Sequence, residues 1–373
     1  MHSSTQSVEK KKRVLVAMSG GVDSSAAAIL LHRSGYEVVG VTMKLWDSSA
    51  LANADSTKSC CGAESARDAK YVCRKLGAPH YTINYASEFK RDVIDNLVGE
   101  YLSGRTPNPC IRCNSYLKWG ELVKLADQLD IKFISTGHYA RIDRLNDGEY
   151  ALLKGHDEAK DQSYALWGIQ RQLLSRTILP IGTMVKGEIR QLLRDEGFGF
   201  SDKPESQEIC FVPDNNLPRF IKESAEKSGI AIPEGSIVNR DGTVLGKHRG
   251  IPFYTIGQRK WLGIGHTVPL YVKSFHNDRN EVVVSEKDGL LSRTCIVSRL
   301  NWLAEKPLQH YEQIFEVKIR YRHLAAPASC ELRKDNSMHV AFKEPQRAIT
   351  PGQSAVFYRA GRVLGGGIID VAE

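Results

Sequence analysis

Arg13-Val14-Leu15-Val16-Ala17-Met18-Ser19-Gly20-Gly21-Val22-Asp23-Ser24-Ser25 is the stretch on which the fold turns. Its first half is a short apolar run that stops at a glycine turn, the pattern of a parallel strand buried on both faces. Its second half opens a helix over Asp23–Arg33, with Ala26, Ile29 and Leu30 on one face and Gly35 as the stop. Two adjacent glycines let the backbone turn sharply and bring its N–H groups close to a phosphate. The helix that follows directs its positive end and its unpaired amides at the same place. Ser19, Ser24 and Ser25 add hydroxyls, and Asp23 is placed to hold the loop or to position a magnesium ion. No Gly-Lys-Ser/Thr follows, so the loop is not a Walker A loop, and chemistry at a terminal phosphate is less natural.

Working outward, strand and helix patterns alternate. Tyr36–Met43 reads as a strand, Glu64–Leu76 as a helix closed by Gly77, and His80–Asn84 as a strand. Phe89–Leu102 and Tyr116–Leu129 read as helices, and Lys132–Thr136 as a further strand. This rhythm predicts a parallel sheet with helices on both faces. Near residue 205 it ends, and Gly and Pro become frequent. From Gln313 to Tyr321 apolar and charged residues interleave, and short β patterns recur at Glu281–Ser285, His339–Phe342, Ala355–Tyr358 and Leu364–Val371. Such strands predict a small sandwich or barrel. The expected organisation is an α/β domain over 1–205, a small central domain over 206–273 and a β-barrel-like domain over 274–373.

Composition sets the outer bounds. A chain of 373 residues has room for two or three domains, and 42% apolar with 25% charged residues rules out a disordered or fibrous chain. No run approaches the roughly 18 apolar residues of a membrane span. Met1–Lys12 is charged without an apolar core after it, so no secretory signal is expected and the cytoplasm is the expected compartment. A net charge of +8 and a pI near 9.0 are compatible with a polyanionic partner. Eight cysteines are too sparse for a disulfide scaffold, and in a reducing compartment clustered thiols point to catalysis or metal binding.

Those thiols lie in Thr106-Pro107-Asn108-Pro109-Cys110-Ile111-Arg112-Cys113-Asn114. Two prolines make the segment a poor helix or strand, so the thiols are expected on a loop. Arg112 and the start of the next helix near Tyr116 are placed to lower a thiol pKa. A zinc half-site is the alternative, but no second CxxC exists and Cys60-Cys61 would be an unusual other half. Cys210, within Glu205-Ser206-Gln207-Glu208-Ile209-Cys210-Phe211-Val212, reads by itself as a buried small hydrophobe. Cys73, Cys295 and Cys330 sit in periodic segments and read as packing residues.

The string Ser19–Ser25 resembles the signature of the PP-loop ATP pyrophosphatases, which cleave ATP between its α- and β-phosphates to adenylate a carbonyl oxygen. Beside such a loop, two separated thiols point to sulfur transfer, one carrying a persulfide and the other resolving it as a disulfide. With Thr136-Gly137-His138-Tyr139-Ala140, Lys160-Asp161-Gln162-Ser163-Tyr164, Ser206–Val212 and Tyr254-Thr255-Ile256-Gly257-Gln258-Arg259-Lys260, the chain resembles the bacterial tRNA-uridine 2-sulfurtransferases (tRNA-specific 2-thiouridylases) from end to end. That resemblance implies ATP-dependent replacement of the C2 oxygen of the tRNA wobble uridine by sulfur, with AMP leaving and an upstream sulfur donor or relay protein. It places ATP on Ala17, Met18, Ser19, Gly20, Gly21, Val22, Asp23 and Ser24, with Met43 and Gly137 completing the site. It makes Cys113 the nucleophile and Cys210 the persulfide carrier, sets Asn108-Pro109-Cys110 at the target base, and puts His138, Lys160, Asp161, Gln162, Arg320, Tyr321 and Gln353 against tRNA.

The residue chemistry suits these roles: Lys160, Gln162, His138 and Arg320 are donors for phosphate and sugar, and Tyr321 is a stacking surface. Lys318, Arg320 and Arg322 are expected to share one strand face. Lys247, Arg249, Arg259 and Lys260 form a basic stretch that reads either as a backbone grip or as ordinary surface. Many relatives carry Asp where this chain has Cys110, so a proton-transfer role cannot be carried over to that position. Cys110, Cys113 and Cys210 together admit a labile [4Fe–4S] cluster as a second reading. Two other functions stand beside the thiolation reading: a PP-loop amidating ligase, for which no glutaminase motif is seen, and an ATP- and RNA-binding module with structural thiols.

Overall fold

A computed structural model describes residues 11–46, 63–204, 209–212, 214–307 and 312–372. Cys60, Cys61, positions 205–208 and the boundary expected at 205 lie outside the described residues.

The first unit holds β1 (Arg13–Ala17), α1 (Val22–Arg33), β2 (Glu37–Lys44), α2 (Ala63–Lys75), β3 (His80–Asn84), β4 (Phe133–Ser135), the hairpin β5 (Ala140–Arg144) and β6 (Tyr150–Lys154), and β7 (Thr177–Ile178). Five of these strands form a sheet of order β3-β2-β1-β4-β7 in which every neighbouring pair is parallel. Because successive side chains on a strand point to opposite faces, β1 divides its residues between two cores. Val14 and Val16 pack with Ala26, Ile29 and Leu31 of α1, and with Ile189 and Leu193 of the helix Lys186–Asp195. Leu15 and Ala17 face the other way, into a core with Phe89, Leu97, Leu117 and Leu122. That double burial is why the strand reads as an unbroken apolar run rather than an alternating one.

The second core is capped by a helical pair. One limb runs Ala86–Phe89, Lys90–Ile94 and Asp95–Leu102, and the other Pro109–Arg112, Cys113–Glu121 and Leu122–Gln128, the middle stretch of each being π-helical. The second limb corrects the expectation that the thiols lie on a loop before a helix starting near Tyr116. Asn108 caps the helix, its side-chain oxygen accepting from the amides of Cys110 (3.1 Å) and Ile111 (3.3 Å). Pro109 takes the first helical position, where its missing N–H is no loss and its fixed φ suits the helix. The two prolines thus frame a helix start.

The central unit is a four-stranded sheet of order β10-β11-β8-β9, built from β8 (Gly235–Val238), β9 (Val244–His248), β10 (Tyr271–His276) and β11 (Glu281–Ser285). A boundary at 273 would cut β10 and detach β11, which pairs with β10 and β8; the backbone ladder carries this sheet on to Ser285. Beyond it, β12 (Leu291–Trp302), β13 (Glu312–Lys318), β14 (Ala326–Leu332), β15 (Met338–Arg347), β16 (Ser354–Arg359) and β17 (Arg362–Ala372) run in the order β12-β15-β14-β13-β16-β17. Pairing of β12 with β17 closes this set into a barrel and removes its open edges. The β5–β6 hairpin reaches across to it, with Leu153 opposite Arg362, so the first unit contributes to the last sheet. Arg320 and Arg322 lie in the turn after β13, so only Lys318 of the expected basic strand face is on the strand.

Candidate functional site

In the parallel sheet the chain leaves β1 for β2 on one side and returns to β4 on the other, which makes the β1/β4 junction the switch point where such sheets bind ligands. Ser19–Asp23 and Gly137 both emerge there. The loop is held from within: Ser24 Oγ accepts from the Ser19 amide (3.2 Å), and Ser25 Oγ donates to the Gly21 carbonyl (2.9 Å). Gly20 has φ +68°, and a Cβ there would overlap the Ser65 backbone. A Cβ on Gly137 would lie 2.5 Å from the Asp23 carbonyl carbon. These glycines are therefore required by close backbone approach, which seats the start of α2 and the turn after β4 against the loop. Met18 donates its amide to Val41 (2.8 Å) and accepts from Thr42 Oγ1 (2.9 Å), binding the loop to β2 beside Met43.

Two partners of the loop had no local signal in the sequence. Lys186, 163 positions away, extends its ammonium to Asp23 Oδ1 (2.7 Å), and Tyr139 Oη donates to the same oxygen (2.8 Å). Lys186 starts the helix that packs against α1, and its amide donates to Asp157 Oδ2 (3.1 Å). The loop without a Walker lysine thus has a nearly buried lysine delivered from elsewhere in the chain. Asp23 offers a single carboxylate at the loop mouth, which suits a magnesium ion that takes its remaining ligands from phosphate and water.

Cys110 is exposed, while Cys113 and Cys210 are half-buried and both border the core beneath the sheet. Phe211, next to Cys210, sets its ring edge-on to Phe89 (5.3 Å) and to Phe220 (5.5 Å). Arg112, expected to act on a thiol, instead lies over the Tyr116 ring (4.6 Å) and donates to the Asp92 carbonyl. Cys73, Cys295 and Cys330 are buried, and burial pushes the first two thiols up to about 11 and about 12, as packing residues should behave. Beside the thiol helix, between it and the barrel, opens a cavity of about 460 Å³ whose wall includes Asn108, Arg112, Tyr116, Trp167 and Ser354.

The residues carried over as tRNA contacts fall into two groups. Lys160 and Gln162 are half-buried and Tyr321 is exposed; the Tyr321 ring lies 6.3 Å from that of Tyr164, with the Lys318 ammonium over both. Arg320 is half-buried and donates to the Arg347 carbonyl. Gln162 is likewise bonded within the protein, its Oε1 accepting from the Tyr139 amide (2.9 Å), and the remaining three form the second group. Asp161 is buried and accepts from the amides of Gly155 and Ser163. Gln353 donates to the carbonyls of Thr106 (2.8 Å) and Pro107 (3.5 Å), clamping the barrel onto the segment that leads to Cys110. His138 is buried against Trp119. Lys118 Nζ can only donate to its Nε2 (3.4 Å), so the proton sits on Nδ1 and is given to Thr136 Oγ1 (2.6 Å). Burial, reinforced by Lys118, holds this ring well below its usual pKa of 6.5 and therefore neutral.

A phosphate loop at the switch point of a parallel sheet, followed by two β units, defines a nucleotide-binding α/β protein of the HUP type. Three family models cover the chain: a tRNA methyl transferase HUP domain over residues 12–214, a tRNA methyl transferase PRC-barrel domain over 219–286 and an aminomethyltransferase beta-barrel domain over 292–369. Among its relatives are the tRNA-specific 2-thiouridylase MnmA of Geotalea uraniireducens, 46% identical over 97% of this chain and 96% of that protein. The MnmA of Carboxydothermus hydrogenoformans is 46% identical over 96% and 98%, and that of Cytophaga hutchinsonii 45% identical over 97% and 98%. The chain belongs to the tRNA-specific 2-thiouridylase family.

Proposed function

We propose that this chain is an ATP-dependent tRNA-uridine 2-sulfurtransferase that thiolates C2 of the wobble uridine. What supports this is the presence in one unit of a phosphate loop at the sheet's switch point and of two half-buried thiols, Cys113 and Cys210, that border the core on one face of that sheet. ATP lies along Ala17–Ser24, with Met43 and Gly137 at the adenosine side. Asp23 would hold magnesium, which supplies charge neutralisation at the phosphates, and Lys186 turns from Asp23 to the phosphate oxygens. The wobble base, splayed from its anticodon loop, is received at Asn108-Pro109-Cys110 beside the cavity lined by Tyr116 and Trp167.

The uridine O2 attacks the α-phosphorus and pyrophosphate leaves. The terminal sulfur of a Cys210 persulfide, loaded by an upstream sulfur donor, then bonds to C2. Cys113 thiolate attacks the Cys210 sulfur, the S–S bond to the transferred sulfur breaks, and its electron pair forms the C2 thione as AMP is expelled. The products are 2-thiouridine and a Cys113–Cys210 disulfide, which an external thiol reduces before the next turnover. Lys160, Gln162, Arg320 and Tyr321 hold tRNA from the surface, while Asp161, Gln353 and His138 act by shaping the backbone around it. These steps belong to the reducing cytosol. No helix among the described residues is long and apolar enough to cross a membrane.

A three-thiolate cluster on Cys110, Cys113 and Cys210 needs those side chains to converge, and among the described residues no group of three or more His, Cys, Asp or Glu is placed to hold a metal. The reading proposed here uses the cysteines as thiols, and iron and sulfide analysis of anaerobically purified wild type against Cys110→Ser separates it from the cluster reading. The decisive experiment is nucleoside mass spectrometry of unmodified tRNA incubated with the protein, ATP, magnesium and a persulfide donor. ATP-dependent 2-thiouridine at the wobble position is expected. No thiolated nucleoside from anaerobic protein that still binds ATP and tRNA would overturn the reading.

A further inference from the structure

Trp261 stands out on the central unit. It is 81% exposed, and its backbone has φ +68°, a left-handed conformation that a bulky side chain adopts only at a strain. The surrounding loop enforces it. Gly257 donates to Val272, Val272 donates to Gln258, and the Gln258 amide reaches the Lys260 carbonyl (2.9 Å) directly before the tryptophan. The ring edges an open concavity of about 420 Å³ shared with Arg259, Leu262, Ile264, His266 and Pro269.

Charge says what this surface receives. Across 242–277 the chain has no Asp or Glu, while it carries Lys247, Arg249, Arg259, Lys260 and Lys273. Lys247, Arg249, Arg259 and Lys260 are all exposed. Gly246 of β9 lies against Ile264, which brings the strand bearing Lys247 beside the tryptophan loop. An indole exposed on an acid-free basic surface is suited to a polyanion that also offers a flat aromatic face, which is a nucleic acid strand. A base inside a duplex has both faces covered by its neighbours, so the face offered must belong to an unpaired base.

We infer that Trp261 is a stacking platform for one unpaired nucleobase of the RNA substrate, with Arg259 and Lys260 on the flanking phosphates. This site lies on the central unit and shares no lining residue with the phosphate loop or with the cavity beside the thiol helix, and so is assigned a base other than the one modified. The inference rests on the proposed tRNA substrate and adds a second grip on it.

The test compares Trp261→Ala, Trp261→Phe and Trp261→Gly in equilibrium binding of unmodified tRNA at fixed salt, with thiolation kinetics and thermal melting alongside. Trp261→Ala should weaken binding roughly tenfold and raise KM for tRNA with kcat unchanged, since stacking contributes to both ground and transition states. Trp261→Phe should keep most of the affinity. Trp261→Gly relieves the left-handed strain and should melt above the wild type while binding as poorly as the alanine variant, an opposition that a purely structural role would not produce. Arg259→Ala should lower the slope of log affinity against log salt by about one, which Trp261→Ala should not do. A Trp261→Ala variant that binds tRNA within twofold of wild type overturns the inference. So does one whose tRNA binding is intact while sulfur delivery from a donor protein slows, which would mark a protein-docking surface. A wild-type protein that binds no tRNA would overturn the proposed function itself, and this inference with it.

Discussion

The phosphate loop and the thiol pair are built in opposite ways. The loop sits at the end of a strand whose residues Val14, Leu15 and Val16 are wholly buried, and two of its neighbours approach so closely that only glycine fits. The thiol side is assembled from three distant pieces: the capped helix start at Asn108, the segment around Cys210, and the barrel, which holds the first through Gln353. The nucleotide site is thus pre-formed by one sheet, whereas the sulfur site depends on how separate units pack, through an apolar core that Tyr358 and Phe211 share with Leu117 and through contacts such as that of Gln353. Damage to the first should appear in ATP binding, and damage to the second in turnover.

The sharpest test of that division is Cys113→Ser or Cys210→Ser. Either should lower thiolation by at least about a thousandfold, since a hydroxyl cannot carry or resolve a persulfide. Binding of ATP and tRNA, measured by calorimetry and filter retention, should stay within twofold. A parallel loss of ATP affinity would show that the two sites are not separable.

On the other side, Gly137→Ala places a methyl 2.5 Å from the Asp23 carbonyl carbon, where backbone cannot yield. It should cost about 1–3 kcal/mol in chemical denaturation and weaken ATP binding tenfold or more. With ATP saturating, sulfur transfer should recover. Unchanged ATP affinity would mean that the turn after β4 does not shape the loop.

These two sides also differ in how much the sequence discloses. The strand, the loop and α1 are contiguous, so periodicity and turn chemistry expose them together with Asp23, whereas Gly137 enters only through the family resemblance. Lys186 carries no such mark, because its role exists only where the helix that starts with it packs on α1. The helix at Pro109 was hidden by a rule applied without position: proline breaks a helix interior but favours its first residue, and Asn108 just before it was the signal. Gln353 and Asp161 are polar residues in a basic protein, and nothing local tells a backbone clamp from an RNA contact. A small sandwich or barrel is legible as short alternating strands, but its closure through β12 and β17 and the crossing of the β5–β6 hairpin into its sheet are not, since pairing partners far apart in sequence leave no periodic trace.

Gln353 tests the clamp directly. Gln353→Ala removes donors to two carbonyls and should cost about 1 kcal/mol of stability. It should slow thiolation several-fold without changing ATP affinity, because only the thiol segment loses its tether. Gln353→Glu should be worse, since a carboxylate cannot donate and sets its charge against carbonyl oxygens. A variant that weakens tRNA binding alone, with kcat and stability preserved, would return Gln353 to the role of an RNA contact.

His138 gives the smallest effect and joins the two sides, since it follows Gly137 and packs on Trp119 of the thiol-bearing limb. Its folded-state pKa is depressed by burial and by Lys118, so the folded protein favours the neutral ring. Above the unfolded value near 6.5 both states are neutral and the group is silent. As pH falls below 6.5 the unfolded chain takes up a proton that the folded chain refuses, so stability declines, by no more than about 1.4 kcal/mol per pH unit for this one group. The decline continues until the folded ring itself is protonated. Melting temperature followed from pH 7.5 to pH 5 should therefore fall, and His138→Gln, which keeps a donor and an acceptor but cannot titrate, should flatten the lower part of that curve. His80, His248 and His323 are also shifted down, with burial the largest cause, and leave a residual slope of the same sign. If the glutamine variant followed the wild-type curve unchanged, the ring would titrate alike in the folded and unfolded chains, and its place would be at the RNA surface and not in the core.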